Sequence, residues 1–191
     1  FHDLEYALEQ DWRIILFHIV DRLFYLQYLH FMQKYDKLVA RETINFHLCL
    51  ASYFHFSELK NNLGDISYEI LYPRLYHKTK IDMQTYIMDS ICLQNEILCL
   101  RALLQQINVQ ARITYRTKSV HSTLKKIQTR KLKHISEVND INAIRIITKS
   151  NDPSECYIIL QRIHRNWFFL FEKNYIAFPK KNGYKSLHTT I

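Results

Sequence analysis

Apolar residues recur at intervals of three and four through the first 108 residues, as in Ile19, Leu23 and Leu26. This spacing places them on one face of a helix and predicts that the N-terminal half of the chain is helical. The segment contains one glycine and one proline. We expect breaks between helices at these two residues, within Asn61–Asp65 and Tyr72–Arg74.

The hydrophobic pattern changes after Asn108. Short alternating or β-branched runs now stand between longer segments of helical character, and such runs are typical of strands. We expect strands at 110–115, 142–148, 175–178 and 186–191, a basic helix at 120–132, and a further helix that starts at Pro153 and continues to residue 169. The chain is therefore predicted to be α+β, with a helical N-terminal half and an α/β C-terminal half.

The composition predicts a folded chain with an anionic partner. Apolar residues make up 48% and aromatic residues 14% of the 191 residues, which is enough for a core. The net charge of +8 is unevenly placed, because residues 1–80 nearly balance whereas residues 97–136 contain nine Lys or Arg and no acidic residue. Such a block indicates nucleotide phosphates, RNA or acidic lipid. The alternative is a solvated basic face without a partner.

The same composition argues against several classes of protein. No apolar run approaches the roughly 20 residues of a membrane span. The four cysteines include no CxxC pair, so we expect free thiols in a reducing cytoplasm rather than a zinc site. The first residues, Phe1-His2-Asp3, carry neither an initiator Met nor the basic start of a signal peptide. We therefore expect the chain to be a piece of a longer protein.

Basic residues at a predicted strand-to-helix junction indicate a phosphate site. Arg116 and Lys118 alternate at the strand end, and Ser122 and Lys126 share a helix face at positions i and i+4. A helix start of this kind suits phosphate oxygens, although many helices carry Ser and Lys at this spacing without a ligand. Asp140 stands beside the next strand, where a single carboxylate suits Mg²⁺ on phosphates. The alternative is an ordinary loop aspartate.

The segment PKKNGYKSLHTT, residues 179–190, groups polar and aromatic residues around one of the two glycines in the chain, Gly183. The residues of interest there are Lys180, Asn182, Tyr184 and His188. Glycine permits positive φ or a close approach to a ligand, and a tyrosine can stack on a base. An ordinary Asn-Gly turn between strands is the alternative. It explains the two turn residues but not their basic and aromatic neighbours.

The order of four segments carries a resemblance to a known family: YRTKSVHSTLKKI, NDINAIRII, ECYIILQRIHRNW and NYIAFPKKNGYKSLHTT. This order closely resembles the synthetase domain of the RelA/SpoT family, the long Rel-type enzymes that make ppGpp and pppGpp. Three upstream segments resemble the end of the HD hydrolase domain of the same proteins and the helices after it: DWRIILFHIVDRLFYLQYL, ARETINFHLCLAS and YEILYPRLY. The resemblance covers nearly the whole chain.

The resemblance implies a division of the chain into three regions. Residues 1–35 would be the end of a degenerate, all-α HD hydrolase domain, and residues 36–80 a helical connector. Residues 81–191 would be the synthetase domain, truncated at its C-terminus, with a nucleotidyltransferase-like mixed β-sheet flanked by helices.

The implied activity is that of a GTP pyrophosphokinase (GTP diphosphokinase) of the stringent response. ATP would donate its β,γ-pyrophosphate to the ribose 3′-hydroxyl of GDP or GTP, with Mg²⁺ as the cofactor. Because this is phosphoryl chemistry, positioning and charge neutralisation should dominate. The resemblance places the protein in the cytoplasm without a membrane partner, and a ribosome or tRNA contact would involve domains C-terminal to this chain.

The resemblance also implies roles for individual residues. The catalytic residues would be Arg116, Lys118, Lys126 and Asp140, with Mg²⁺ on Asp140. ATP would contact Arg116, Lys118, Ser122, Lys126 and Arg145. The guanine nucleotide would contact Lys173, Lys180, Asn182, Tyr184 and His188, with Tyr184 stacked on the base.

Two departures from the family pattern stand in the synthetase region. Where the family has Arg-x-Lys-Asp or Glu-x-Asp-Asp, this chain reads Phe171-Glu172-Lys173-Asn174. This leaves nucleotide preference and metal use open. A second catalytic carboxylate, a Glu, is expected beyond Ile191, so we expect this segment alone to be inactive.

The hydrolase region departs further. Asp21 matches a metal-binding Asp of the family, but Phe24 and Tyr25 stand where the family has His and Asn. Asp21 is thus at most a remnant of a Mn²⁺ site, and a helix-surface ion pair with Arg22 is the alternative. We expect an inactive hydrolase without Mn²⁺, and histidines such as His47 are expected to be packing or surface residues rather than metal ligands. His2-Asp3 is interpreted as a chance surface pair.

Three hypotheses therefore stand. The first is a (p)ppGpp synthetase with a degenerate hydrolase domain. The second is a non-catalytic regulator that keeps the fold and binds nucleotide or RNA. The third is an RNA-binding module that uses the basic block and binds RNA with a steep dependence on salt.

Overall fold

The computed structural model describes residue 11 and residues 13–32, 36–87, 90–181 and 183–191. In chain order the elements are α1 (Arg13–Phe31), α2 (Lys37–Glu42), a π-helical turn (Thr43–His47), α3 (Leu48–Tyr53), α4 (Ser57–Leu71), α5 (Pro73–Gln84), α6 (Ser90–Gln106), β1 (Ala111–Thr117), α7 (Val120–Arg130), a 3₁₀ turn (Ile135–Glu137), β2 (Asn142–Thr148), α8 (Pro153–Asn166), β3 (Phe171–Asn174) and β4 (Leu187–Thr190).

The chain forms two compact units that cross the predicted boundaries. The first comprises residues 1–85 and 119–138, and the second comprises residues 86–118 and 139–191. The α+β class is confirmed: in the described part of the chain, the N-terminal half is helical and the strands lie after residue 110. The described strands form two separate two-stranded antiparallel sheets, β1–β2 and β3–β4. The division at residues 35 and 80 stays a prediction.

The first unit is helical, and its core is built on α1. Ile15, Ile19 and Leu26 are fully buried, as the apolar spacing predicts, and they pack with Leu63 of α4. Other apolar side chains of α1 face outward, among them Phe31, which is 82% exposed. No helix in the described part of the chain is both long and apolar enough to cross a membrane.

Of the two predicted breaks, one is confirmed and one is wrong. Helix α4 ends at Leu71 and α5 begins at Pro73, which occupies the first turn, where its missing N–H costs nothing. The break predicted within Asn61–Asp65 is absent, because α4 continues through it. Gly64 serves packing there, since a Cβ at this position would lie 2.5 Å from the ring of His121. The glycine lets α7 approach α4 closely.

The π-helical turn places His47 in the core. The Leu48 N–H donates to the carbonyl of Thr43, five residues back, which widens the helix locally. His47 is fully buried beside the ring of His18, at 4.9 Å between centroids. No described group hydrogen-bonds either ring nitrogen. As expected, His47 packs, but its nitrogens are left unsatisfied.

The second unit is formed around the β1–β2 pair. The register joins Ile113 to Ile146 and Arg116 to Ala143. The apolar side chains of this pair, Ile113, Ile144 and Ile146, pack against buried residues of α6 and α8, namely Leu100, Leu104, Ile159 and Ile163. At the start of α8, the Asp152 carboxylate accepts the Ser154 N–H at 2.9 Å.

The β3–β4 pair corrects two predictions. Residues 175–178, predicted as a strand, form a turn. The strand immediately precedes them, at Phe171–Asn174. The reason is Asn174, whose Oδ1 accepts the N–H groups of Ile176 (3.1 Å) and Ala177 (2.8 Å) and so bends the chain. Helix α8 ends at Asn166 rather than 169, because Trp167 adopts an extended conformation. The strand predicted at 186–191 is confirmed as β4.

His47 predicts that acid weakens the fold. Burial, with the Arg22 charge second, lowers the pKa of His47 to about 4, whereas an unfolded histidine titrates near 6.5. Between these values the unfolded chain binds the extra proton, so the contribution is complete above pH 6.5 and is lost as the pH falls towards 4. We expect a loss of at most about 3 kcal/mol in the free energy of unfolding.

Urea unfolding of wild type and His47→Leu at pH 4–7 measures this loss. The wild type should lose more stability than the variant over this range, and the exposed His30→Leu should behave like wild type. Equal pH dependence in wild type and His47→Leu would contradict the assignment.

Candidate functional site

The β1–β2 pair presents three arginines on its open face, Arg112, Arg116 and Arg145. Arg116 lies opposite Ala143, and Arg145 lies opposite Thr114, two residues before Arg116. Residues opposite each other and residues two apart share a face, so all three arginines lie on the side away from the core isoleucines. All three are exposed. The sheet thus carries three positive charges on one surface.

An ion pair lies at one end of the same sheet. The Lys118 Nζ lies 3.0 Å from the Asp140 Oδ2, and the Lys118 N–H donates to the Ile141 carbonyl at 2.8 Å. The backbone bond continues the strand pairing by one residue and holds both side chains at this end. Lys118 and Asp140, which are 22 residues apart in the sequence, are therefore adjacent in the fold.

A tight turn brings the second group of predicted residues together. Gly183 has φ of +76°, its N–H donates to the Lys180 carbonyl at 2.8 Å, and the Lys180 N–H donates to the Tyr184 carbonyl at 3.2 Å. Only glycine adopts such a φ without strain. The turn places Lys180 beside Tyr184. Asn182 lies outside the described residues, so its predicted role stays a prediction.

The Lys180 ammonium lies against two tyrosine rings, and a histidine contacts both tyrosines. The Lys180 Nζ lies 4.7 Å from the ring centroid of Tyr175 and 4.9 Å from that of Tyr184, within the range of cation–π attraction. The Tyr184 hydroxyl lies 2.9 Å from the His188 Nε2, and Tyr175 meets His188 edge to face at 5.2 Å. Lys173 lies opposite His188 in the β3–β4 register. These residues form what we call the Lys180 cluster.

The charges of both sheets act on His188. Partial burial lowers the pKa of His188, and the positive charges of four residues lower it further: Lys180, Lys173, Arg145 and Arg116. The ring keeps an exposed surface, so water screens part of these effects. Positive charges from β1 and β2, from β3 and from the turn at Lys180 thus all act on His188.

Ser122 and Lys126, also predicted from the sequence, lie on α7 in the first unit. Both are half-buried. The Ser122 Oγ accepts from the Ser119 hydroxyl at 2.8 Å and lies 3.1 Å from the His121 Nε2. The sequence placed Ser122 and Lys126 on one helix face, and α7 fulfils this.

The two predicted metal residues differ in their surroundings. Asp140 is a single, largely exposed carboxylate, which fits Mg²⁺ held by one carboxylate and substrate oxygens. Asp21 is exposed on α1, and the neighbouring Arg22 donates to Glu42 at 3.0 Å rather than forming the pair considered above. Within the described ranges no three His, Cys, Asp or Glu side chains come close enough to hold a metal. Both metal assignments stay predictions.

Three residues of these clusters were missed by the sequence analysis. Tyr175 was assigned to a strand, and only the turn at Asn174 brings its ring onto Lys180. His121 and Asp65 lie 56 residues apart and are joined by side-chain contacts. The available signals were an aromatic residue next to the predicted basic segment and a histidine beside Ser122.

Comparison with known proteins finds the family that the sequence resembles. Residues 115–191 match a family model described as "Region found in RelA / SpoT proteins". The chain is 35% identical over 190 residues to a guanosine-3′,5′-bis(diphosphate) 3′-pyrophosphohydrolase of Borreliella burgdorferi, covering 97% of this chain and 28% of that protein. It is 31% identical over 201 residues to a GTP pyrophosphokinase of Myxococcus xanthus, covering 100% and 25%.

A third relative carries both activities in its name. This is the bifunctional (p)ppGpp synthase/hydrolase SpoT of Escherichia coli, 30% identical over 200 residues, with coverage of 100% of this chain and 27% of the relative. The chain thus spans about a quarter of the length of the relatives it matches. The resemblance stated from the sequence is confirmed.

The electrostatics of the Lys180 cluster can be tested through His188. Lys180→Met removes one of the charges that lower the pKa of His188, so this pKa should rise towards 6.5 without reaching it, because burial remains. An NMR titration of the His188 ring measures the change. The exposed Lys185→Met should leave the titration unchanged. Equal titration curves for wild type and Lys180→Met would contradict the proposed proximity.

Proposed function

We propose that this chain, which belongs to the RelA/SpoT family, carries the nucleotide-binding part of a (p)ppGpp synthetase. The whole protein would transfer the β,γ-pyrophosphate of ATP to the ribose 3′-hydroxyl of GDP or GTP. The observation that carries the proposal is the Lys180 cluster, in which the Lys180 ammonium lies against the rings of Tyr175 and Tyr184 and the Tyr184 hydroxyl contacts His188. The hydrolase region is proposed to be inactive, since only Asp21 matches its metal-binding motif.

Converging cations favour a polyphosphate ligand. Like charges around one ring repel each other. Burial is the largest cause that lowers the pKa of His188, and repulsion by the four positive charges lowers it further. A nucleotide di- or triphosphate would supply several negative charges at one place and relieve it. Lys173, Lys180, Arg116 and Arg145 are exposed, so their charges are accessible to a ligand. Arginine adds planar, bidentate donors for phosphate oxygens.

Tyrosine beside the phosphate-binding charges suits a base. Tyr184 is 37% exposed, and the Lys180 ammonium lies over its ring. A guanine stacked on Tyr184 would take the place of this ammonium, which would move to the phosphates of the same nucleotide. The hydroxyl contact with His188 fixes the plane of the ring at one edge. Asn182, in the same turn, is proposed to contact the base or ribose.

The donor nucleotide is proposed to use the β1–β2 charges. Arg116 and Lys118 would neutralise the ATP phosphates, and Arg145 would contribute from the neighbouring strand. Ser122 and Lys126 of α7 are assigned to ATP by the family resemblance. Asp140 would hold Mg²⁺ together with nucleotide oxygens, and this ion would neutralise charge that develops on the transferred group. Lys118 keeps the Asp140 carboxylate oriented until then, through their 3.0 Å contact.

A second candidate is nucleotide binding without transfer. Asn174 stands where the family has an acid, and its side chain caps the following turn and lies 3.3 Å from the Tyr157 hydroxyl. These contacts assign Asn174 to structure rather than to a metal or a proton. Binding would survive this substitution, because the Lys180 cluster does not include Asn174. An assay of the full-length protein with ATP, GDP and Mg²⁺ separates the two, since only the first candidate yields a guanosine tetraphosphate.

Tyr184 provides the test of binding. Tyr184→Ala should weaken GDP binding by about 1–3 kcal/mol, or roughly 5- to 150-fold, because one base stack is lost. Tyr184→Phe should keep most of the affinity, and Tyr53→Ala, an exposed tyrosine of the first unit, should keep all of it. Calorimetric titration with GDP measures these values.

Unchanged GDP affinity in Tyr184→Ala would contradict the assigned base site. RNA binding that nucleotides do not compete away, with a steep dependence on salt, would favour an RNA-binding module instead.

A further inference from the structure

A buried histidine contacts the proposed phosphate ligand Ser122. His121 is 2% exposed, and its backbone N–H donates to the Asp65 Oδ1 at 2.8 Å. The same carboxylate oxygen lies 3.2 Å from the ring Nδ1, and the Ser122 Oγ lies 3.1 Å from the ring Nε2. Gly64 makes room for this ring. One imidazole thus connects a carboxylate on α4 to a hydroxyl on α7.

When the His121 ring is neutral, its contacts determine which of the two ring nitrogens carries the proton. An ionised carboxylate only accepts hydrogen bonds, so Nδ1 carries the proton and donates to Asp65. Nε2 is then an acceptor, and Ser122 must donate its single hydroxyl proton to it. The Ser119 Oγ lies 3.1 Å from the same Nδ1 and accepts from it as well, while the Ser119 hydroxyl donates to the Ser122 Oγ at 2.8 Å. In this state Ser122 presents lone pairs, which phosphate oxygens repel.

Protonation of the ring reverses the Ser122 contact. Nε2–H then donates to the Ser122 Oγ, and the hydroxyl proton becomes free to donate to a phosphate oxygen. We propose that His121, held by Asp65, is a positioning residue that sets the donor direction of Ser122, and that a nucleotide phosphate binds Ser122 with uptake of one proton by His121. The inference rests on the proposed function, because ATP phosphates are the ligand of Ser122 there.

The surroundings of the ring leave few other groups to titrate with it. Asp65 is the carboxylate that contacts it from α4, and the Tyr68 ring lies 5.8 Å away between centroids. Tyr76 of α5 packs with Tyr68 in the same cluster. Burial raises the pKa of both tyrosines, so both remain uncharged near neutral pH. On α7 itself, Lys125 is exposed one turn later.

The test measures proton uptake on ATP binding to the full chain. Calorimetry in two buffers of different ionisation enthalpy, at pH 6–8.5, gives the number of protons taken up. The wild type should take up as much as one proton more than the variants, and its affinity should fall with rising pH by up to tenfold per pH unit. ATP itself also titrates, and this contribution cancels between wild type and variants.

Two substitutions distinguish the role of Nε2, which faces Ser122, from that of Nδ1, which faces Asp65. His121→Gln places a permanent N–H near Ser122, so it should bind ATP with the low-pH affinity of the wild type and without the extra pH dependence. His121→Asn keeps a donor for Asp65 but removes the group that faces Ser122, so it should lose the extra proton uptake as well. The same proton uptake in all three proteins would overturn the inference.

Ring nitrogen NMR of the nucleotide-free wild type supplies a test that needs neither ATP nor a variant. The neutral ring should carry its proton on Nδ1, and a neutral ring with the proton on Nε2 would overturn the inference. Failure of the proposed function looks different, because the wild type would then show the expected tautomer but no ATP binding at any pH.

Discussion

The pairing of β1 with β2 is the interaction on which the arrangement of the second unit depends. Because side chains alternate across a strand, the register that joins Ile113 to Ile146 sends the isoleucines to the core and leaves Arg116 and Arg145 on the open face. A shift of one residue would bury the arginines. The same register brings Lys118 and Asp140 to one end of the sheet. Hydrophobic burial thus determines where the charges lie.

The positive charges of both sheets act on one histidine, and this is the feature on which the proposed polyphosphate ligand rests. Arg116, Arg145 and Lys173 come from three strands of two sheets, yet all act on His188. The rings of Tyr175 and Tyr184 hold Lys180 by cation–π contacts and partly offset the repulsion. An aromatic ring holds an ammonium without neutralising its charge, and the proposed function uses the Lys180 charge for phosphate.

The sequence predicted features that depend on local pattern and missed those that depend on distant contacts. The strand at β2 and the start of α8 at Pro153 follow from local chemistry, and both are confirmed. The break at Gly64 was wrong, because His121, far along the chain, requires the glycine inside a helix. The strand at 175–178 was wrong because one side chain, Asn174, accepts two backbone N–H groups. The residues of the proposed site were named from resemblance, but their mutual contacts required the strand register.

A crystal structure of the full-length protein with GDP and a non-hydrolysable ATP analogue tests the central claim most directly. The account predicts the guanine on the Tyr184 ring, its phosphates among Lys180, Lys173 and His188, and the ATP phosphates on Arg116 and Lys118. A guanine nucleotide bound elsewhere, with Lys180 still held between Tyr175 and Tyr184, would contradict it.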